Sequence, residues 1–417
     1  MKHNINHADI KDWASNYKGE LFDGILCDPP YELGFMGKSW DSTGIAYDKE
    51  MWQDIFKLLK PGGHLLAFSG SRTYHRMAVA IEDAGFEIRD MIEWVYGSGF
   101  PKSLNIGKAV DKIQGNERVP TGEVKHHAQK GVAVAEQRGA VGGGAFGQAK
   151  SEEVTKGNSP FEGYGTALKP AHEPCVLARK PIEGTVANNV LKHGTGGLNI
   201  DGSRVAGDMG ADRALGKPRI DTDKYGKANS TLNPQSPLGR FPANLIHDGS
   251  DEVVGLFPDT KSNRHSRPRG GESFRYANES DNQEYYTDSG SAARFFYTAK
   301  ASKSERNAGL EGFEPQITND GREKDIDNAF QRGMTLRTNH HPTVKPLSLT
   351  KYLATLIKPP TGGRLLVPFS GSGSEMIGAL QAGWDYVEGV ELTEEYIPIA
   401  EARIKYWVSK PQQESML

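Results

Sequence analysis

The sequence predicts an α/β protein built on a mostly parallel sheet, with an irregular region inserted between two regular halves. Three observations support this. Strand-period and helix-period segments alternate from Leu21 to Trp94, they alternate again from Pro346 to Trp407, and the stretch between them is polar and rich in turn formers. Short apolar runs separated by amphipathic helices are the pattern of βαβ units, whose crossovers are right-handed.

In the first half, Phe22-Asp23-Gly24-Ile25-Leu26-Cys27 reads as a buried strand. Lys49 to Leu59 reads as an amphipathic helix stopped by Pro61-Gly62-Gly63, and His64 to Phe68 as the next strand. Thr73 to Ala84 reads as a helix ending at Gly85, followed by a strand from Glu87 to Tyr96. The regularity then stops. Gly97 to Pro170 is rich in Gly, Lys and Gln, including a run from Gly139 to Gly147, and has too few large apolar residues to form a core. This predicts a flexible insertion, or a surface that orders on a partner.

His172 to Arg179 restores a short strand, and from Lys180 to about Asn339 the chain is again polar, with apolar islands at Phe241–Ile246, Val253–Phe257 and Arg294–Thr298. In the second regular half, Pro346 to Ile357 reads as a helix with Pro in its first turn, Arg364 to Val367 as a strand and Ser374 to Ala382 as a helix. Tyr386 to Leu392 reads as a strand and Glu394 to Trp407 as a final helix. The expected division is therefore 1–100, 101–339 and 340–417, with the two outer pieces folded into one sheet.

Composition narrows the function. No apolar run approaches the roughly 20 residues that cross a bilayer, and the segment MKHNINHADIKDW lacks the apolar core of a secretory signal. A cytoplasmic protein with no membrane partner is the expectation. Cys27 and Cys175 stand far apart with no metal-ligand spacing, which argues against zinc or a disulfide framework, and no metal is expected. The net charge of -3 hides an uneven distribution: residues 1–100 carry 10 basic and 15 acidic side chains, residues 101–345 carry 34 and 30. The densest basic cluster is Lys261, Arg264, Arg267 and Arg269, a candidate contact for a phosphate backbone.

Two motifs carry chemistry. Pro368-Phe369-Ser370-Gly371-Ser372-Gly373-Ser374 lies between a strand and a helix, where glycines allow a tight turn and close approach of the backbone to a ligand. It lacks the third glycine of the dinucleotide fingerprint, but the next strand ends in Glu391, which is placed to accept from ribose hydroxyls, with Leu392 beside it. Asp28-Pro29-Pro30-Tyr31 directly follows the first buried strand, at the sheet edge where parallel folds bind ligands. Two prolines stiffen the turn, which presents one carboxylate, backbone carbonyls and an aromatic face. An exocyclic amine on a base ring is a poor nucleophile, and acceptors on its N–H bonds orient it while an aromatic ring stacks on the extruded base.

Asp28-Pro-Pro-Tyr31, His341-Pro-Thr-Val-Lys-Pro346 and Phe369-Ser-Gly-Ser-Gly373, in that order, resemble the beta-class amino methyltransferases that modify DNA. Gly34–Asp41 and Ser69–His75 are similar to segments of phage-like members. The resemblance covers roughly residues 5–100 and 335–407. It implies a Rossmann-like methyltransferase sheet, mostly parallel with one antiparallel strand, in circularly permuted motif order, with an inserted target-recognition region.

It also implies roles. Asp28 accepts from the target amine, with Pro29 and Pro30 shaping the turn, and Tyr31 stacks on the flipped base. Pro368 to Ser374 and Cys27 line the site of S-adenosylmethionine, Glu391 and Leu392 its ribose, and Asp9 its adenine. Thr343 and Lys345 resemble residues that hold the methionine carboxylate. Lys38, Trp40 and Arg72 join the basic cluster as candidate DNA contacts. The family usually has Asp-Pro-Phe entering the glycine loop, whereas Val367 stands here, so one carboxylate contact is missing.

The activity implied is methyl transfer to adenine N6 in DNA, since members with Asp heading the tetrapeptide are mostly adenine enzymes. Cytosine N4 is the first alternative. A catalytically silent DNA-binding module is a second, and a dinucleotide-dependent oxidoreductase a third that leaves Asp28 to Tyr31 unexplained. Many relatives dimerise, so a homodimer in the bacterial or phage-infected cytoplasm is a further expectation.

Overall fold

The computed structural model describes residues 2–33, 39–99, 103–126, 151–205, 239–261, 289–299, 302–318 and 335–409. The chain forms two compact units, one of Met1–Gly97, His172–Gln316 and Leu336–Leu417, the other of Ser98–Ala171 and Ile317–Thr335.

The first unit is organised by a sheet of nine strands: β1 (Lys2–His7), β2 (Phe22–Cys27), β3 (Leu59–Phe68), β4 (Glu87–Val95), β5 (His172–Arg179), β6 (Leu245–His247), β7 (Tyr297–Thr298), β8 (Arg364–Val367) and β9 (Tyr386–Glu391). Their spatial order is β1-β9-β8-β2-β3-β5-β4-β6-β7. Every neighbouring pair is parallel except the two that involve β5, which runs antiparallel between β3 and β4. The expected mostly parallel sheet with one reversed strand is therefore present.

The central strands are buried on both faces, as their unbroken apolar runs require. Along β2, Ile25 and Cys27 enter one core cluster and Leu26 the other; along β3, Leu65 and Ala67 face the first, Leu66 and Phe68 the second. Helices α1 (Ile10–Asn16), α2 (Lys49–Leu58) and α3 (Tyr74–Asp83) cover the first face, packing Ile10, Trp52, Ile55 and Ile81 onto it. Helices α4 (Leu347–Leu356), α5 (Ser374–Gln381) and α6 (Ile397–Ser409) bring Leu353, Ile377 and Ile404 to the other. Asp48 caps α2 by accepting from Glu50 N at 2.9 Å, which fixes the helix start where the sequence places it.

Three differences from expectation have physical causes. β1 and α1 precede what the sequence presents as the first strand, because KHNINH lies at a sheet edge and alternates polar groups instead of burying an apolar face. β3 begins at Leu59 and runs through Pro61, whose missing N–H is tolerated where the pairing with β2 shifts register. The stretch after Arg179 contributes β6 and β7 to the sheet, strands of three and two residues that are too short to show a period.

In the second unit, a helix at Ile106–Gln114 accompanies a hairpin of Val119–His126 and Ser151–Lys156. Expected from composition to lack order, this segment is held by charge instead of an apolar core. Arg118 pairs with buried Asp111 and with Glu162 Oε1 at 2.8 Å, and donates to the Thr155 carbonyl at 2.8 Å. The glycine run 139–147 lies outside the described residues.

Candidate active site

The sheet brings the two motifs together. β8 and β2 are parallel neighbours, with Leu365 opposite Gly24 and Leu366 opposite Ile25, and they end at Val367 and Cys27. The glycine loop and the Asp-Pro-Pro-Tyr turn therefore leave adjacent strands at one carboxyl edge. β9 flanks β8 and ends in Glu391, and β1 flanks β9, with His7 opposite Glu391.

At the head of the turn, Asp28 is bound on one side only. Its Oδ2 accepts from Lys345 Nζ at 2.7 Å, while Oδ1 is buried with no hydrogen-bond partner among the described residues. Lys345 is 6% exposed, so its ammonium needs its partners. It also donates to Tyr31 Oη at 3.0 Å, lies 3.2 Å from Glu173 Oε2, and stands over the rings of Tyr31 and Phe68 at 5.2 and 4.9 Å. Burial alone would lower its pKa, but the charges of Asp28 and Glu173 outweigh burial and hold it above the ordinary lysine range.

Tyr31 completes the cluster by donating to Glu173 Oε2 at 2.9 Å. Burial, then the negative charges of Asp28 and Glu173, keep its phenol well above its usual pKa and hence neutral. The ring lies against Gly70, where an added Cβ would come 3.3 Å from Tyr31 Cδ2.

The glycine loop is drawn tight by its own backbone. Ser370 N donates to Val390 O at 2.9 Å and Gly373 N to Ser370 O at 2.7 Å, and Gly371 and Gly373 adopt φ of 48° and 80°. Glu391 accepts from Gly371 N at 2.7 Å and from Thr393 N at 2.8 Å. Burial raises its pKa against those two donors, and each oxygen keeps a second lone pair for a ribose hydroxyl.

Residues 22–114 match a family model described as DNA methylase. Over these residues the chain is similar to the DNA methylases. That family uses S-adenosylmethionine and acts on amino groups of adenine or cytosine. The Type II methyltransferase M.HindIII of Haemophilus influenzae is 27% identical over 154 residues, 36% of this chain and 37% of that protein, so the chain spans little more than a third of this relative's length. Among solved structures, the M1.HpyAVI–SAM complex aligns at 13% identity over 96% of this chain and 99% of its own, with a TM-score of 0.37. The PvuII cytosine-N4-specific DNA methyltransferase aligns at 11% identity over 97% and 86%, with a TM-score of 0.41.

The other residues singled out from sequence fall variously. Asp9 follows β1, caps α1 and accepts from Lys11 N at 2.8 Å. Cys27 is fully buried and its thiol faces the core, leaving only its backbone for a ligand. Cys27 and Cys175 are both free thiols. Lys345 donates to Asp28 and Tyr31 and lies 3.2 Å from Glu173 Oε2. Thr343 is exposed.

Arg72 is exposed in the turn between β3 and α3, at the same carboxyl edge as Asp28. Trp40 belongs to a short 3-10 turn, Ser39–Ser42, and Lys261 ends a strand, Asp259–Lys261, paired with Ser289–Ser291. Lys38, Arg264, Arg267 and Arg269 lie outside the described residues.

Sequence reasoning missed Glu173, which it read only as part of a strand, and two buried groups near the glycine loop. Arg403 on α6 is 0% exposed and donates to Ser372 Oγ at 2.9 Å and Ser374 Oγ at 3.1 Å. Glu375, in the first turn of α5, is 4% exposed. Both were legible only as charged residues inside apolar helices, where an unpaired charge is costly. No helix among the described residues is long and apolar enough to cross a membrane.

Proposed function

We propose that this chain methylates the N6 amino group of adenine in DNA, with the base extruded from the helix. The observation that carries the reading is the divided state of Asp28: one oxygen anchored by Lys345, the other buried, unpartnered and beside the glycine loop. A buried acceptor left open is costly, and a target N–H is the group that would satisfy it.

Several features of the site fit the cofactor. Gly371 lies so close to the His341 ring that a Cβ there would come 2.8 Å from His341 Nε2, so only glycine fits this tight turn of the loop, whose backbone can then approach a nucleoside. The residues that would hold S-adenosylmethionine are Phe369 to Gly373 by backbone, Glu391 at the ribose and Asp9 at the adenine. Bound there, it supplies an electrophilic methyl group on sulfur.

The chain's own part is positioning and charge. Asp28 Oδ1 would accept one N–H of the target amine, orienting the nitrogen, and would take up the proton that the nitrogen releases. Lys345 keeps Asp28 oriented and offsets its charge in the interior, and Glu173 keeps Lys345 and Tyr31 in place. Tyr31, neutral and fixed at both sides of its hydroxyl, offers its ring to the base. Exposed Arg72, at the same edge, is suited to the phosphate backbone. Asp, in place of Ser, at the head of the tetrapeptide supports adenine over cytosine.

Incubation of the full chain with unmethylated duplex DNA and methyl-labelled cofactor, followed by nucleoside analysis, tests this. Label in N6-methyldeoxyadenosine is the expected product. Label in N4-methyldeoxycytidine would overturn the adenine assignment, and unlabelled DNA would overturn the activity.

A further inference from the structure

Glu375 is the second residue of α5, the helix that follows the glycine loop. Its side chain is 4% exposed, and its Oε1 is buried with no hydrogen-bond partner among the described residues. It feels the charges of Asp28, Lys345 and Arg403, and it directly follows Ser374, whose Oγ, like that of Ser372, accepts from Arg403. A buried carboxyl oxygen without a partner is costly, and a ligand able to donate to it would offset that cost.

The amino-acid end of S-adenosylmethionine carries an ammonium, which calls for a carboxylate. The other carboxylates at this sheet edge are engaged. Asp28 faces the target amine in the reading above, Glu391 accepts from Gly371 and Thr393, and Asp9 caps α1. Val367, the last residue of β8 before the glycine loop, is aliphatic and fully buried.

Resting on the methyltransferase reading, we propose that Glu375 receives the ammonium of the cofactor's methionine moiety. Burial, then the charge of Asp28, raise the pKa of this carboxyl in the free protein. A cation arriving beside it relieves both effects, whereas a second anion would aggravate them.

The test compares two ligands by calorimetry on the full chain: S-adenosylhomocysteine, and its deaminated analogue in which 4-thiobutanoate replaces homocysteine. The unmodified chain is expected to prefer the amino compound at least tenfold. In Glu375→Gln that preference should collapse to within about threefold, with affinity for the deaminated analogue unchanged, which also shows that the variant is folded. Glu375→Thr, a smaller side chain in the same space, serves if Glu375→Gln does not fold. A variant that keeps the full preference, or loses both ligands equally, overturns the role of Glu375. Failure of the unmodified chain to bind either ligand overturns the cofactor reading itself, and this inference with it.

Discussion

Lys345 Nζ stands 2.7 Å from Asp28 Oδ2, although the two residues are 317 positions apart. This pair joins the two regular halves of the chain at the point where the chemistry is proposed. With Glu173 and Tyr31 it makes a closed cluster of two anions, one cation and one neutral phenol. Removing the cation would leave Asp28 and Glu173 facing each other in a buried setting. Lys345→Met is therefore expected to destabilise the fold by about 3–5 kcal/mol, the usual cost of breaking a buried ion pair from one side. Denaturant unfolding of the purified variant checks the magnitude, and a change below about 1 kcal/mol would show the pair to be solvent-screened.

Glu173 can be separated from this structural effect. Glu173→Gln keeps an acceptor for the Tyr31 hydroxyl but removes one of the two charges that hold the ammonium. It should lower kcat by roughly 10–100-fold, in the range of an orienting hydrogen bond, while S-adenosylhomocysteine affinity stays within about threefold. A matching loss of cofactor affinity would place Glu173 outside the role assigned to it.

Gly371 combines a φ of 48° with close approach to His341. Gly371→Val strains the backbone and drives a branched side chain into that ring, so cofactor binding should fall at least tenfold with the rest of the fold intact. In Gly371→Val/His341→Ala the clash is removed and the backbone strain remains, so binding should recover only in part. Full recovery would mean that the left-handed conformation of Gly371 is dispensable.

A pH dependence follows from His64 on β3, which is 5% exposed. Burial first, then the charges of Arg179 and Arg89, lower its pKa to about 3. The folded chain thus holds His64 neutral while the unfolded chain protonates it near pH 6.5. Between those values the unfolded state binds the extra proton. Stability should therefore fall as pH drops from about 6.5 toward 3, by at most about 1.4 kcal/mol per pH unit from this group. In His64→Leu that part of the slope should vanish; unfolding curves at pH 7, 6 and 5 for both chains read it directly.

Much of this was legible from residue order. Arg364–Val367 is a strand with the bounds its apolar run suggests, and the helix ends at Asp48 and Gly85 follow from capping and glycine chemistry. The adjacency of Asp28 and the glycine loop was implied by the motifs, and strand register supplies it. What was hidden depended on tertiary pairing. β1 is an exposed edge without apolar alternation, β6 and β7 are too short for periodicity, and Arg118 organises its unit through ion pairs that leave no pattern in sequence. The partner of Lys345 could not be read from a motif in which it stands beside Thr343 and Pro346.

The central claim is that Asp28 receives the proton-bearing amine and does little for cofactor affinity. It is tested most directly by measuring, on one preparation of Asp28→Ala and one of the unmodified chain, methyl transfer to DNA and binding of S-adenosylhomocysteine. Transfer by Asp28→Ala should be reduced at least about a thousandfold, beyond the cost of one lost hydrogen bond, with ligand affinity within about threefold. Undiminished transfer by Asp28→Ala would contradict it.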